Sequence, residues 1–295
     1  MSSMPAGRPR GQVARPTASG GAGTLRIMTY NICEGGGDRL DHIAAIVKRQ
    51  RPHAVALLEA NSRALVEALA RDLGMALVYG EANCPASVAW LTSLPIRRTY
   101  NHRLPALAKT LLELEAAWDA RVVRLFATHL ASRHDEPAHS RLEEMQAILG
   151  VLSAAGTVPH LLVGDLNSVH PDDSPGTPPP DVVKRGEALA GAPRPVIRRL
   201  LQAGYVDCYR ARHPRTPGYT YPAQAPWLRL DYVFASPPMA RYLRGCTVLT
   251  EAVAAEASDH VAVRAEFQPW PPCQERRCGP DHDEVPHTAA RERAG

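Results

Sequence analysis

The stretch from His160 to Asn167 constrains the fold most, because a short apolar run ends there in Gly164, Asp165 and Asn167. Such a run is typical of a buried strand. Side chains two residues apart lie on the same face of an extended chain, so Asp165 and Asn167 are expected to leave the strand side by side. A carboxylate there can orient or deprotonate a water, and an amide can donate to a phosphate oxygen. Taken alone, the stretch favours an ordinary Asx turn, and other parts of the chain have to decide.

The first third of the chain alternates between strand and helix patterns. Leucine and isoleucine at helical spacing predict a helix that begins with Asp38 as N-cap and ends at Arg51-Pro52. A second helical pattern runs to about Leu73, where Gly74 ends it. Strands are predicted on either side of these helices, at 25–31, 54–59, 75–79 and 87–92.

The rest of the chain predicts a hairpin, two helices and several late strands. The hairpin pairs 109–115 with 121–129, and the helices cover 139–152 and 195–203. Residues 172–180 are rich in Pro and Gly and predict a loop. Late strands are expected at 229–235, 246–250 and 261–267.

Composition indicates the bounds of the folded domain and the cellular compartment. We predict one mixed α/β domain over 24–268, a disordered leader at 1–23 and a disordered charged tail at 269–295. The leader lacks the apolar core of a signal peptide, and no apolar run reaches the ~18 residues of a membrane span. Six scattered cysteines do not suggest a disulfide scaffold, so we expect a cytoplasmic protein with reduced thiols. The net charge of +4 is too small to predict a nucleic-acid partner by itself.

Polar residues stand at the ends of several predicted strands, where a rigid sheet usually displays catalytic groups. Each has a structural alternative: a turn for Asn31 or Asp259, a helix N-terminal charge for Glu59, a partly buried imidazole for His129, and an ion pair of Asp231 with Arg229. Two histidines, two amides and several acids at such positions make coincidence a poor explanation. The residues that follow this pattern are Asn31, Glu59, His129, Asp165, Asn167, Arg229, Asp231, Asp259 and His260.

Six short motifs in order give this pattern a family resemblance. They are Thr29-Tyr-Asn-Ile32, Leu58-Glu59, Thr128-His-Leu130, Gly164-Asp-Leu-Asn167, Arg229-Leu-Asp-Tyr232 and Ser258-Asp-His260. The series resembles the endonuclease/exonuclease/phosphatase superfamily, also called the DNase I-like superfamily. This resemblance covers almost all of 24–268 and implies a four-layer α/β (α+β) sandwich, with two packed mixed β-sheets flanked by helices.

The resemblance also implies phosphoester cleavage with Mg²⁺ or Mn²⁺ and a role for each matched residue. Glu59, Asn31 and Asp259 would hold the metal, since oxygen ligands suit Mg²⁺. Asp165 would activate the water and Asn167 would donate to a phosphate oxygen. The remaining implied roles are a phosphate ligand or acid for His129, charge stabilisation for His260 oriented by Asp231, and substrate binding for Arg229.

The substrate and two other classes of protein stay open at this level. We favour a nuclease or general phosphodiesterase, with a phosphomonoesterase or a sphingomyelinase-like lipid phosphodiesterase as alternatives. Small basic clusters at 97–98, 102–103, 194, 198–199 and 209–213 are candidates for nucleic-acid contact, although such clusters are more often solvated faces. A non-catalytic binding module would predict a missing acid or histidine, and none of the matched positions lacks one. A zinc-dependent protein is the second class, but the spacing of the tail residues Cys273, Cys278, His282 and His287 fits no common zinc finger. We also expect the protein to be a monomer.

Overall fold

The computed structural model describes residues 23–119, 121–132, 140–178, 190, 194–251 and 253–269. Most of the predicted leader and tail, including the four Cys and His residues of the tail, lies outside the described residues. Within these ranges, no helix combines the length and the apolar character that crossing a membrane requires.

Two six-stranded sheets form the centre of the described structure. The strands are β1 (Leu25–Asn31), β2 (Ala54–Leu58), β3 (Ala76–Gly80), β4 (Val88–Thr92), β5 (Ile96–His102), β6 (Leu111–Trp118), β7 (Arg121–His129), β8 (His160–Asp165), β9 (Val206–Asp207), β10 (Asp231–Ala235), β11 (Leu243–Val248) and β12 (Val263–Phe267). The first sheet has the order β11-β12-β1-β2-β4-β3, and the second has the order β5-β6-β7-β8-β10-β9.

The two sheets repeat one arrangement at their centres. In the first, β1 is parallel to β2 and antiparallel to β12. In the second, β8 is parallel to β7 and antiparallel to β10. In each sheet, two strands therefore end and a third begins on the same side, at the ends of the strands. The predicted polar residues lie on this side.

Helices cover the outer faces of both sheets. The longer ones are α1 (Leu40–Gln50), α2 (Arg63–Leu73), α3 (Arg141–Ser153) and α4 (Pro195–Gln202), and the short ones are α5 (Cys208–Arg212), α6 (Pro237–Ala240) and α7 (Ala254–Ala257). Helix α2 begins at Ser62, whose Oγ accepts the Leu65 N–H at 3.4 Å, and ends at the left-handed Gly74, as predicted.

Apolar side chains fill the space between the sheets and the spaces below the helices. The inner core joins both sheets, and the Trp90 indole donates from one sheet to the Leu112 carbonyl of the other at 3.2 Å. Separate clusters pack α1 and α2 on the first sheet and α3 and α4 on the second. The predicted sandwich of two mixed sheets flanked by helices is confirmed.

Three local predictions were wrong. Asp38 does not cap α1, because it lies inside a 3-10 turn, Gly37–Arg39, that leads into the helix. The exposed strand β5 was not predicted, since its polar sequence carries no apolar alternation. Arg229 precedes β10 instead of lying in it, because the strand begins at Asp231.

Candidate active site

One row of the second sheet aligns three of the predicted residues. His129 at the end of β7 is in register with Asp165 at the end of β8, which is in register with Asp231 at the start of β10. The His129 Nε2 lies 3.5 Å from Asp165 Oδ2. All three side chains are buried, so their charges interact in a medium that screens them far less than water does.

Asn31 joins the two sheets at this edge. Its Nδ2 donates to Glu59 Oε1 at 3.1 Å and to Asp165 Oδ2 at 3.3 Å. Its Oδ1 accepts the Cys33 N–H at 3.0 Å. The amide therefore holds two carboxylates, one from each sheet, around one point.

Asp165 and Asn167 form the Asx turn that the sequence also allowed, and the turn itself builds the site. The Asn167 N–H donates to Asp165 Oδ1 at 2.9 Å, with Asn167 in a left-handed conformation at φ 44°. Its Nδ2 then donates to the Leu130 carbonyl and contacts His129 Nε2, both at 3.1 Å. The turn therefore positions the Asn167 side chain within the polar cluster.

Gly164 permits β7 and β8 to approach closely just before this turn. Its φ is +147°, and a Cβ at this position would lie 1.8 Å from the Thr128 carbonyl oxygen. A side chain there would force the two strands apart. The glycine of the Gly-Asp-Leu-Asn motif is therefore a requirement of packing beside the site.

His260 is fixed from two sides. Its Nδ1 lies 2.8 Å from Asp231 Oδ2 and its Nε2 lies 3.7 Å from Asp165 Oδ2. Ser258 donates to the Asn31 carbonyl at 2.6 Å and accepts the His260 N–H at 3.2 Å, which ties this loop to the end of β1. The Tyr221 ring lies against the imidazole, with 4.8 Å between ring centroids.

The charges of this cluster shift the proton affinities of its members. Burial and the nearby Asp231 carboxylate raise the pKa of Asp165 to about 7, against the opposing effect of His260. Burial alone would lower the pKa of His260, but the carboxylates of Asp231 and Asp165 outweigh it and raise the pKa to about 10. Between these values the imidazolium coexists with the Asp165 carboxylate, so the pair can hold an anion and accept a proton.

His129 is the contrasting imidazole of the site. Burial, followed by the positive charges of Lys109 and His260, lowers the pKa of His129 well below its usual value. A neutral ring can accept the Asn167 amide proton at Nε2, in agreement with their 3.1 Å contact. The site thus holds one charged and one neutral histidine.

A second group of oxygens lies beside the loop that follows β1. Glu59 is left-handed at φ 56°, and its Oε2 accepts the Glu34 N–H at 2.9 Å. Burial and then the carboxylates of Asp259 and Glu59 raise the pKa of the Cys33 thiol to about 11, so both acids lie near Cys33. The carboxylates of Glu59 and Asp259 are oxygen donors of the kind that a divalent cation such as Mg²⁺ binds.

A different candidate cation site consists of Asp165, Asp231 and His260. One ligand atom from each lies within 4.8 Å of the others. His260 is hydrogen-bonded to Asp231, and its raised pKa keeps a proton on the ring, which competes with metal binding. A cation at this site would have to displace that proton, whereas the donors at Glu59 and Asp259 are oxygens alone.

Arg229 lies outside the cluster, contrary to the substrate-binding role that the resemblance implied. Its side chain is 1% exposed. Nε donates to Asp173 at 2.7 Å and Nη1 donates to Asp207 at 2.6 Å. The guanidinium is committed to these two carboxylates, which also excludes the ion pair with Asp231 that the sequence left open.

Sequence reasoning missed two cations beside the site. Lys109 is buried and donates to the Leu130 carbonyl at 3.2 Å, the same oxygen that Asn167 contacts. Arg39 donates to the carbonyls of Ala257 and Cys33, at 2.9 and 2.5 Å, and so joins the loops on both sides of the oxygen group. Lys109 was within reach of prediction, because the sequence places it at the start of the hairpin strand that pairs with β7. Arg39 gave no comparable signal.

We compared the sequence with models of known protein families. The model of the endonuclease/exonuclease/phosphatase family matches residues 28–260. The chain belongs to this family. The match spans every cluster residue from Asn31 to His260, and the resemblance inferred from the six motifs is confirmed.

Solved structures of related fold agree with this membership in the endonuclease/exonuclease/phosphatase family. A 3′ phosphatase, NExo, from Neisseria, bound to a product DNA hairpin, has a TM-score of 0.68 and 22% identity, covering 83% of this chain and 100% of that one. An AP endonuclease from Archaeoglobus fulgidus has a TM-score of 0.65 and 20% identity, over 82% and 99% of the two chains. Truncated TDP2 from Caenorhabditis elegans has a TM-score of 0.59 and 21% identity, over 83% and 98%. A comparison with curated proteins gave no match.

Proposed function

We propose that this protein is a metal-dependent phosphoesterase that hydrolyses phosphodiester bonds by attack of water on phosphorus, as a nuclease or general phosphodiesterase. The observation that carries the proposal is the placement of Asp165, whose carboxylate lies among Asn31, Asn167, His129 and His260. A carboxylate with a pKa near neutrality can orient a water and accept its proton. The surrounding amide and imidazolium donors suit a phosphate oxygen.

Each residue of the cluster takes one role in this proposal. Asp165 orients and deprotonates the water, and the Asn167 amide turns its proton from His129 Nε2 to a non-bridging oxygen. His260, kept protonated by Asp231, stabilises the negative charge that develops on the phosphoryl group. Neutral His129 contacts the phosphate from the β7 side.

The oxygen group of Glu59, Asp259 and Asn31 would hold Mg²⁺ or Mn²⁺. Such an ion polarises a phosphoryl oxygen and neutralises charge on the leaving oxygen. Glu59 is tied to the Asn31 amide, and through it to Asp165, at 3.1 and 3.3 Å. The cation and the water-activating carboxylate would therefore be neighbours.

Two of the similar structures bear on the substrate. The names of the similar structures include a 3′ phosphatase bound to DNA and an AP endonuclease, which favours a nucleic-acid substrate. The same cluster suits a phosphomonoesterase or a lipid phosphodiesterase, and these remain the alternatives. A non-catalytic binding module is the remote alternative. The cytoplasmic location and the monomeric state stay predictions.

Cleavage of plasmid DNA tests the substrate class. Supercoiled plasmid incubated with the protein in Mg²⁺ should be nicked and then linearised, and EDTA should stop the reaction. Asp165→Ala should be inactive under the same conditions. Intact plasmid, together with release of phosphate or alcohol from small phosphoesters, would move the substrate to a small molecule or a lipid.

A further inference from the structure

Strand β5 is unusual because it exposes both of its faces. It is the edge strand of the second sheet, and Ile96, Arg97, Arg98, Thr99 and Tyr100 are all exposed. Tyr100 is 53% exposed and Ile96 is 40% exposed. Among the described residues, the only other exposed large apolar side chain is Val158, so this strand concentrates such groups. An exposed tyrosine flanked by arginines is a typical surface for stacking and phosphate contact.

The charges on this strand are available for a partner. Neither Arg97 nor Arg98 forms an ion pair within 4.0 Å in the part of the chain that the structure describes. The nearby Glu113 is already held by His102 at 2.8 Å and by Arg124 at 2.7 Å. Glu115 lies opposite Arg98 in the register and is the remaining acid of β6. With Arg103 at the end of the strand, the balance of the surface is positive.

Several other basic groups are committed to other contacts. Arg194 donates to the carbonyls of His170, Pro171 and Asp173, and Arg210 is paired with Asp173. His213 contacts the Cys246 carbonyl at 2.8 Å. Arg199 is exposed on α4 and lines a cavity beside His160, which is separated from Arg98 by three strand spacings along one row of the sheet.

The register connects β5 with the candidate active site. His102 pairs with Leu111, Leu111 with Thr128, and Thr128 with Gly164, so one row of the sheet runs from the end of β5 to the residue before Asp165. Three strand spacings give a distance of roughly 14 Å along that row. Arg98 lies four residues before His102, roughly 13 Å further along β5, so a chain of phosphates has to run along β5 toward His102 before it crosses to Asp165.

Two details favour nucleic acid over an added protein strand. The register between β5 and β6 shifts between Ile96 and Arg98, and such a bulge at an edge discourages strand addition. The Tyr100 and His102 rings lie with their centroids 4.5 Å apart, which supports the tyrosine from one side and leaves its other surface exposed. A supported aromatic ring can stack on a base of any identity.

We propose that the exposed surface of β5 binds single-stranded nucleic acid, with a base stacked on Tyr100 and phosphates beside Arg97 and Arg98, and leads the strand to Asp165. The inference rests on the proposed function and adds a substrate-binding surface outside the cluster. Arg103 extends the positive charge toward the site. A dinucleotide is too short to reach from this surface to Asp165.

Fluorescence anisotropy with a labelled single-stranded oligodeoxynucleotide in EDTA measures this binding without cleavage. Tyr100→Ala should weaken affinity by roughly 5- to 100-fold, the effect of losing one stacked base. Tyr100→Phe should retain most of the affinity. Arg98→Ala should lower the slope of log affinity against log salt by about 0.7. Arg199→Ala removes an exposed arginine on α4 beside His160, three strands away from β5, and is the matched control that should bind like the wild type.

The outcomes separate this inference from the proposed function. Equal affinities for wild type, Tyr100→Ala and Arg98→Ala would overturn the inference, even if the wild type hydrolyses small phosphodiesters. Loss of binding on Tyr100→Ala would support the inference even if no hydrolysis is found, in which case the proposed function fails alone. Self-association of the wild type that Tyr100→Ala abolishes, without oligonucleotide binding, would assign the surface to a second copy and overturn the proposal. Unchanged thermal midpoints of the variants would exclude unfolding as the cause.

Discussion

At the scale of single residues, the site depends on two raised pKa values within one buried pair. The pKa of Asp165 is raised to about 7 and the pKa of His260 to about 10. Asp165 has to be ionised to accept a proton, and His260 has to be protonated to stabilise negative charge. We therefore expect activity only while Asp165 is ionised and His260 is protonated.

A pH–rate profile tests this reasoning. The rate constant should rise as pH increases toward 7, should stay level, and should fall as pH approaches 10. A divalent cation near Glu59 would bring the raised pKa of the neighbouring Asp165 down, so the acid limb should lie at or below 7 and never above it. Activity that is highest below pH 5 would contradict the assignment of Asp165 as the ionised group.

Asp231 and His260 should act as one unit, because their 2.8 Å contact fixes the ring and raises its pKa. Asp231→Asn should shift the pKa of His260 down, and Asp231→Asn combined with His260→Ala should be little less active than His260→Ala alone. The kcat values of the wild type and of the three variants give the coupling free energy between the two side chains. Fully additive losses would show that the two side chains contribute independently.

At the scale of elements, the close approach of β7 and β8 at Gly164 is the tightest local requirement beside the site. Gly164→Ala would place a Cβ 1.8 Å from the Thr128 carbonyl oxygen, which only a movement of the two strands can relieve. We expect it to lower the free energy of unfolding by roughly 2–4 kcal/mol, as other severe core and backbone clashes do. Urea denaturation measures the loss.

Gly150→Ala is the matched control for this prediction. Gly150 lies within α3, and a Cβ there meets nothing within 4 Å. Alanine is preferred over glycine in a helix interior, so this variant should gain about 0.5–1 kcal/mol. Equal stability of the two variants would show that the packing at Gly164 tolerates a side chain.

The elements that the sequence predicted well were those whose apolar pattern and end signals agree. The strand at 25–31, the helix that ends at Gly74 and the hairpin are examples. Strand β5 was missed because an edge strand with both faces exposed needs no apolar pattern. Arg229 was misassigned because its partners, Asp173 and Asp207, come from distant segments that no local pattern connects to it.

At the scale of the whole molecule, the candidate site exists only where the two sheets meet. Each sheet contributes the ends of two parallel strands and the start of an antiparallel one, and Asn31 joins the two contributions. The sequence predicted which residues lie at strand ends. Their distances depend on how the sheets pack, and that information is spread over the entire inner core.

The most direct test of the account is hydrolysis of bis(p-nitrophenyl) phosphate in Mg²⁺ by the wild type and by Asp165→Asn. The substitution keeps the size of the side chain and removes its charge, so the fold should remain while proton acceptance is lost. We predict metal-dependent hydrolysis by the wild type, none after addition of EDTA, and a loss of at least about 100-fold in kcat for Asp165→Asn. Equal rates for the two proteins, or a wild-type rate that EDTA leaves unchanged, would contradict a metal-dependent phosphoesterase centred on Asp165.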